Sequence, residues 1–162
     1  MVVELPGGGT GLLNVLAWLL IQSGLAWGMT RIPATRFNPR GTLARLRGWE
    51  RSGSCYENLF RIKRWKGRLP DAANWFQGGF PKAKLRASTP EFFESFLRET
   101  WRGELTHWLA LLALPIFALW NPGWGVAVNA AYAATANLPC ILVQRYNRNR
   151  FLRILERASK TK

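Results

Sequence analysis

Trp101-Arg-Gly-Glu104-Leu-Thr-His107-Trp108 opens a stretch that closes with Asn137-Leu-Pro-Cys-Ile-Leu-Val-Gln144-Arg145-Tyr146-Asn147-Arg148, and what lies between them decides the fold. Between His107 and Arg145 there are 37 residues without one formal charge, interrupted by the turn-like run Asn121-Pro-Gly-Trp-Gly125. A charge-free run of that length holds two membrane crossings of about 17–20 residues each, folded back at the turn. Both polar clusters then lie at one membrane face. Glu104 and His107 would meet Arg145, Tyr146, Asn147 and Arg148 there, and the remaining chain reads as what feeds that site.

Working outward, Leu5–Thr30 is a second charge-free run, of 26 residues. Glu4 precedes it and no Lys or Arg does, so the run lacks the basic start of a secretory signal and reads as an uncleaved first helix. Its Asn14, Gln22 and Ser23 are costly against lipid and are expected to pair with another helix. With a net charge of +14 the chain invites a nucleic-acid reading. The segregation of charge argues against it: Glu4 stands alone before Arg31, and basic blocks alternate with apolar ones. The expected class is an all-α integral membrane protein and a single membrane domain, residues 1–162. It has about three transmembrane helices, at about 10–29, 105–120 and 126–144, plus short interfacial, amphipathic cytoplasmic helices. No nucleic acid is expected as a partner; membrane lipids are.

Basic residues orient the chain. None precedes the first span, 16 fall in 31–104, none lies in the 121–125 turn, and seven follow Gln144. Positive charge stays inside, which puts the amino terminus and the turn outside the cell (inner) membrane and the 31–104 cap and 145–162 tail in the cytoplasm. Arg and Lys alternate with Trp and Phe through Leu43–Trp49, Leu59–Trp65 and Phe92–Phe96, a mixture suited to the headgroup layer. Gly67, Leu69-Pro70-Asp71 and Gly78-Gly79-Phe80-Pro81 break the cap into short pieces. Thr89-Pro90-Glu91 predicts a helix start, with Phe92, Phe93, Phe96, Leu97 and Trp101 on one apolar side and Pro115 as a kink further on. In the tail, Phe151, Leu152, Ile154 and Leu155 repeat at helical spacing.

Several residues could carry chemistry. Glu104 and His107 are three apart and share a helix face; a neighbouring carboxylate can fix an imidazole's tautomer and make it a general base. The alternative is an interfacial histidine that only hydrogen-bonds. Arg145, Tyr146, Asn147 and Arg148, with Arg150, are either a flank meeting lipid phosphates or a site for a phosphate-bearing ligand. Arg64 and Lys66 read as an interfacial anchor or as part of that site, and Arg102 joins the candidates. Asn137, roughly two turns deeper, packs against another helix or holds substrate. Cys55 and Cys140 lie in unlike segments and, with a lone histidine, do not make a metal site. A non-enzymatic membrane anchor, binding anionic lipid or an acidic partner, would also fit the basic face.

Thr30-Arg-Ile-Pro33, Trp65-Lys66 with Leu69-Pro70-Asp71, Arg102-Gly-Glu104-Leu-Thr-His107-Trp108 and Asn137-Leu-Pro-Cys-Ile-Leu-Val-Gln-Arg-Tyr-Asn-Arg148 occur in that order. Together they resemble the glycosyl-4,4'-diaponeurosporenoate acyltransferases, small membrane enzymes of staphyloxanthin-type carotenoid biosynthesis. The resemblance implies transfer of a fatty acyl group to a sugar hydroxyl of a glycosylated carotenoid or similar glycolipid. The donor would be an acyl thioester such as acyl-CoA, a co-substrate, with no cofactor. His107, oriented by Glu104, would deprotonate the sugar hydroxyl. Arg145 and Arg148, with Arg64 and Lys66, would hold donor phosphates, and Tyr146, Asn147 or Asn137 would donate to the oxyanion.

Overall fold

The computed structural model describes residues 6–69 and 89–160. Among the described residues every regular element is a helix. Helix α1 spans Gly7–Arg31, α2 is a single turn at Ile62–Trp65, α3 spans Pro90–Leu112 and α4 spans Gly123–Lys160. Between α1 and α2 the cap is built of 3-10 turns at Ala34–Arg36 and Gly48–Glu50 and a π-helical turn at Cys55–Leu59. The amphipathic Leu43–Trp49 segment is turn and coil as far as Arg47 and then enters the 3-10 turn; it buries Ala44 and Leu46 and leaves Leu43 and Trp49 in the open. The expected turns at Pro70-Asp71 and 78–81 lie outside the described residues.

Thr89 caps α3 as its sequence predicts: its Oγ1 accepts from the Phe92 N–H at 3.3 Å, and Pro90 fills the first helical position. The helix passes Gly103 without a break and runs on to Leu112. It stops before Pro115, which has no N–H to offer, and the chain continues as a 3-10 helix over Leu114–Leu119. The stretch expected as a second span is therefore half α-helix and half 3-10. Among the described residues, two helices are long and apolar enough to cross a membrane by length and composition, Gly8–Arg31 and Gly123–Lys160. Leu12, Leu16, Leu19 and Leu20 on α1, and Trp124 and Val128 on α4, are exposed large apolar residues, the pattern of a lipid-facing surface.

Helix α4 runs past the expected end of the third span. It passes Gln144 without a break and reaches Lys160, 38 residues in one element. At 1.5 Å per residue it is about 57 Å long, nearly twice the ~30 Å hydrocarbon core of a bilayer. The basic tail is thus the continuation of the apolar helix. Its Phe151 packs in a cluster with Phe93, Phe96 and Leu97 of α3, with ring centroids 4.4 Å from Phe96 and 5.4 Å from Phe93. Antiparallel packing of α3 on α4 sets Trp101–His107 against Asn137–Arg148, which builds the site.

Candidate active site

Polar groups between the helices occur in layers along α4. At the turn end, Asn14 and Asn121 exchange amide hydrogen bonds of 2.9 and 2.8 Å, and the Trp120 indole donates to the Asn14 Oδ1 at 2.8 Å. Further along, the Trp18 indole donates to Asn129 Oδ1 at 2.8 Å, while its ring stacks on Phe117 at 4.5 Å. Asn14 thus pairs with the turn between the 3-10 helix and α4, which shields its amide as the cost of a polar group in lipid demands. The third layer is His107: its Nδ1 lies 2.9 Å from Asn137 Oδ1, and the Asn137 Nδ2 donates to the Ala133 carbonyl at 2.9 Å. His107 is half-buried and Asn137 fully buried.

The fourth layer is ionic. Glu104 is buried on α3 and accepts from Arg145 Nη1 at 2.7 Å, from the Trp108 indole at 3.2 Å and from Arg148 Nη2. Arg145 turns its other edge to Glu50 of the cap, with Nε at 2.8 Å and Nη2 at 2.7 Å. Glu50 also accepts from the Arg47 backbone N–H at 2.6 Å and from the Tyr56 hydroxyl. Two carboxylates and two guanidinium groups thus form a chain of zero net charge joining the cap, α3 and α4. Burial by itself raises the Glu50 carboxyl, but the hydrogen bonds from Arg145, Tyr56 and Arg47 outweigh it and hold it at about 2. The same burial and the Glu50 carboxylate push the Tyr56 hydroxyl well above the ordinary phenol range, so it stays a donor.

Hydrogen bonds from Asn149 Nδ2 to the Glu50 carbonyl and from Arg153 Nη1 to the Ser52 carbonyl, the latter 2.7 Å, lay the 50–54 loop on α4. Gly53 completes that loop at φ +74°, with Arg153 Nη2 at 3.0 Å and Asn149 Oδ1 at 3.3 Å from where a Cβ would stand. Tyr146 is buried, donates to Glu57 Oε1 at 3.2 Å and carries the Lys66 ammonium over its ring at 4.8 Å. Burial, with Arg150 and Lys63 close by, lowers the Lys66 ammonium's pKa.

These positions revise the expected roles. The hairpin does bring Glu104, His107, Arg145 and Arg148 to one end. Glu104, however, spends its carboxylate on the two arginines and Trp108, and the Nδ1 of His107 is held by Asn137. Arg145 and Arg148 are engaged by Glu50 and Glu104, and Arg148 is fully buried, so neither stands ready for a donor phosphate. Arg102 is buried against Glu99, at 2.7 Å, and reaches the Ile32 carbonyl at 3.4 Å. Of the three oxyanion candidates, Asn137 gives its N–H to Ala133 and Tyr146 gives its hydroxyl to Glu57, while Asn147 is half-buried. Arg64 is exposed. Sequence reading missed Glu50; the available signal was a lone acid among Arg31, Arg36, Arg40, Arg45, Arg47 and Arg51.

An apolar groove of about 440 Å³ lies between α1 and α3, lined by Leu20, Ile21, Gly24, Leu25, Leu109, Leu112 and Ala113. Leu109 and Leu112 are about 200° and 140° around α3 from His107, so the groove opens on a different face from the imidazole.

A small helical protein with two membrane-length apolar helices and one imidazole, set where a buried ionic layer meets apolar ones, is a membrane-type protein with its polar chemistry at a helix seam. By sequence the chain belongs to the glycosyl-4,4'-diaponeurosporenoate acyltransferase family, whose model matches residues 34–157. It is 34% identical over 140 residues to the acyltransferase of that name from Staphylococcus haemolyticus (strain JCSC1435), covering 86% of this chain and 81% of the relative. The like-named proteins of Staphylococcus aureus strains USA300 and N315 are 34% identical over 143 and 145 residues, with 86% of each chain covered. No solved structure matches.

Proposed function

We propose that this protein transfers a fatty acyl group from an acyl thioester to a sugar hydroxyl of a carotenoid glycoside at the cytoplasmic face of the membrane, with His107 as general base. The observation that carries the chemistry is the place of His107. It is the chain's single histidine, half-buried on α3, one layer inside the ionic network and at the start of the apolar ones. On α4, Asn137 is about 12 Å deeper than Arg145. A lipid-linked sugar reaching up and an acyl thioester reaching down meet at that level. Nε2 of His107 takes the proton as the hydroxyl oxygen attacks the thioester carbonyl. Collapse of the tetrahedral intermediate breaks the C–S bond, the proton passes from His107 to the departing thiolate, and ester and free thiol leave. Such a base contributes about 10²–10⁴-fold.

In this reading α1, the Leu105–Leu119 stretch and α4 make three crossings, with the amino terminus outside. The donor's anionic head meets the exposed arginines of the cap, Arg45, Arg47 and Arg64, in place of Arg145 and Arg148. The groove between α1 and α3 takes lipid. The test is acyl transfer by membranes containing His107→Ala, followed by mass spectrometry of the product. The expected result is a loss of about 10²-fold or more with the protein still folded, and a fully active variant removes the base.

A further inference from the structure

Asn121, Asn129 and Asn137 stand eight residues apart, and each treats its amide alike. The Nδ2 donates to the carbonyl four residues back: Phe117 at 3.0 Å, Gly125 at 2.9 Å and Ala133 at 2.9 Å. With the Nδ2 turned onto its own backbone, Oδ1 is left facing the neighbouring element. At Asn129 that oxygen meets the Trp18 indole, a group that can only donate. At Asn137 it meets Nδ1 of His107, in the same arrangement.

We infer that Asn137 is the positioning residue that sets the tautomer of His107, keeping the proton on Nδ1 and making Nε2 the basic nitrogen. An amide oxygen accepts and never donates, so the hydrogen between these two atoms must come from the imidazole. The opposite tautomer would set the Nδ1 lone pair against Oδ1. Rotating the amide to relieve that would set Oδ1 against the Ala133 carbonyl instead. Asn137 is 0% exposed, so water is not at hand to repair either mismatch. The inference assigns to a neutral amide on α4 the task that the Glu104–His107 spacing suggested for a carboxylate. A neutral partner orients the ring without adding charge to it. Its catalytic consequence rests on His107 being the base; the tautomer itself does not.

The chain's single histidine makes the test direct. Full-length protein with a histidine-free affinity tag is labelled with ¹⁵N-histidine, placed in lipid nanodiscs and examined at alkaline pH, where the ring is neutral. One pyrrole-type signal coupled as Nδ1 and one pyridine-type signal coupled as Nε2 are expected; the reverse assignment overturns the inference. Asn137→Leu should lose this preference and lower kcat by about 10²–10⁴-fold, the range for a lost general base, with KM nearly unmoved. Asn129→Leu, which cuts the equivalent bond to Trp18, should leave the tautomer as in the wild type. An Asn137→Leu spectrum that keeps the proton wholly on Nδ1 also refutes the assignment. If that variant does not fold, the wild-type spectrum decides alone. Full turnover by His107→Ala would remove the base while the spectrum still answered for Asn137.

Discussion

Neutralising Glu104 tests whether its carboxylate serves the ionic layer or the imidazole. Glu104→Gln keeps the shape and removes the charge. Arg145 then still has Glu50 at 2.7–2.8 Å, but Arg148 loses its carboxylate. Its Nε and Nη1 already lack hydrogen-bond partners among the described residues, and its remaining neighbour of note is the Trp101 ring, 5.7 Å from the guanidinium carbon. A fully buried cation is stranded. Removing one member of a buried pair costs about 3–5 kcal/mol, and at 2–4 °C per kcal/mol for a chain of this size Tm falls by about 6–20 °C. The double variant Glu104→Gln/Arg148→Met removes the stranded charge as well and should recover most of that loss, since apolar replacement of a buried pair is close to neutral. Thermal melts in detergent followed by tryptophan fluorescence read the stability; acyl transfer by the same samples reads the site. A single variant melting with the wild type, or a double variant melting as low as the single, refutes the stranded-charge reasoning. A fully stable double variant devoid of activity would return Glu104 to the chemistry.

Two more outcomes follow from the cap. Glu50 is held at about 2 against an ordinary value of 4.5, so the unfolded chain binds this proton first and stability falls with falling pH. The contribution is complete above about pH 4.5 and is lost as the pH drops toward 2; proteolysis of the 45–56 segment should rise over that window and be flat from pH 5 to 8, and a Glu50→Gln variant should not show the rise. Gly53→Ala places a Cβ at positive φ and within 3.0 Å of Arg153; a loss of about 1–2 kcal/mol is expected in the same melts, and an unchanged Tm would mean the loop is not held on α4 as described.

Local signals in the sequence located elements well and partners poorly. The Thr89-Pro90 cap and the apolar side of α3 are short-range features, and they stand where the residue pattern put them. The polar ends of the 108–144 run do meet, because helix length and one turn fix that. The pairing inside the site was not legible in the same way. Glu104 and His107 share a face by spacing, yet the strongest donors to Glu104 come from 41 and 44 residues away. The acid opposite Arg145, Glu50, ends a three-residue 3-10 turn too short for any periodicity to mark it. Asn137 was visible as a polar residue at depth, but its role depends on Ala133 and His107 together, which only packing brings into register. That the third apolar stretch and the basic tail form one helix was not legible either, because a change from apolar to basic composition signals where a bilayer stops, not where backbone hydrogen bonding stops.

The zero sum of the Glu50–Arg145–Glu104–Arg148 layer separates the protein's cations into two populations. Those in the layer are buried or mostly buried and are balanced pair by pair, so added salt changes the docking of the cap on α3 and α4 little. Those on the cap surface are open to a counterion atmosphere about 8–10 Å thick at physiological strength. Raising the ionic strength should therefore weaken capture of an anionic donor while the scaffold that presents the imidazole stays intact. On the proposed reading of the donor site, salt is a dial that turns donor affinity without touching the fold.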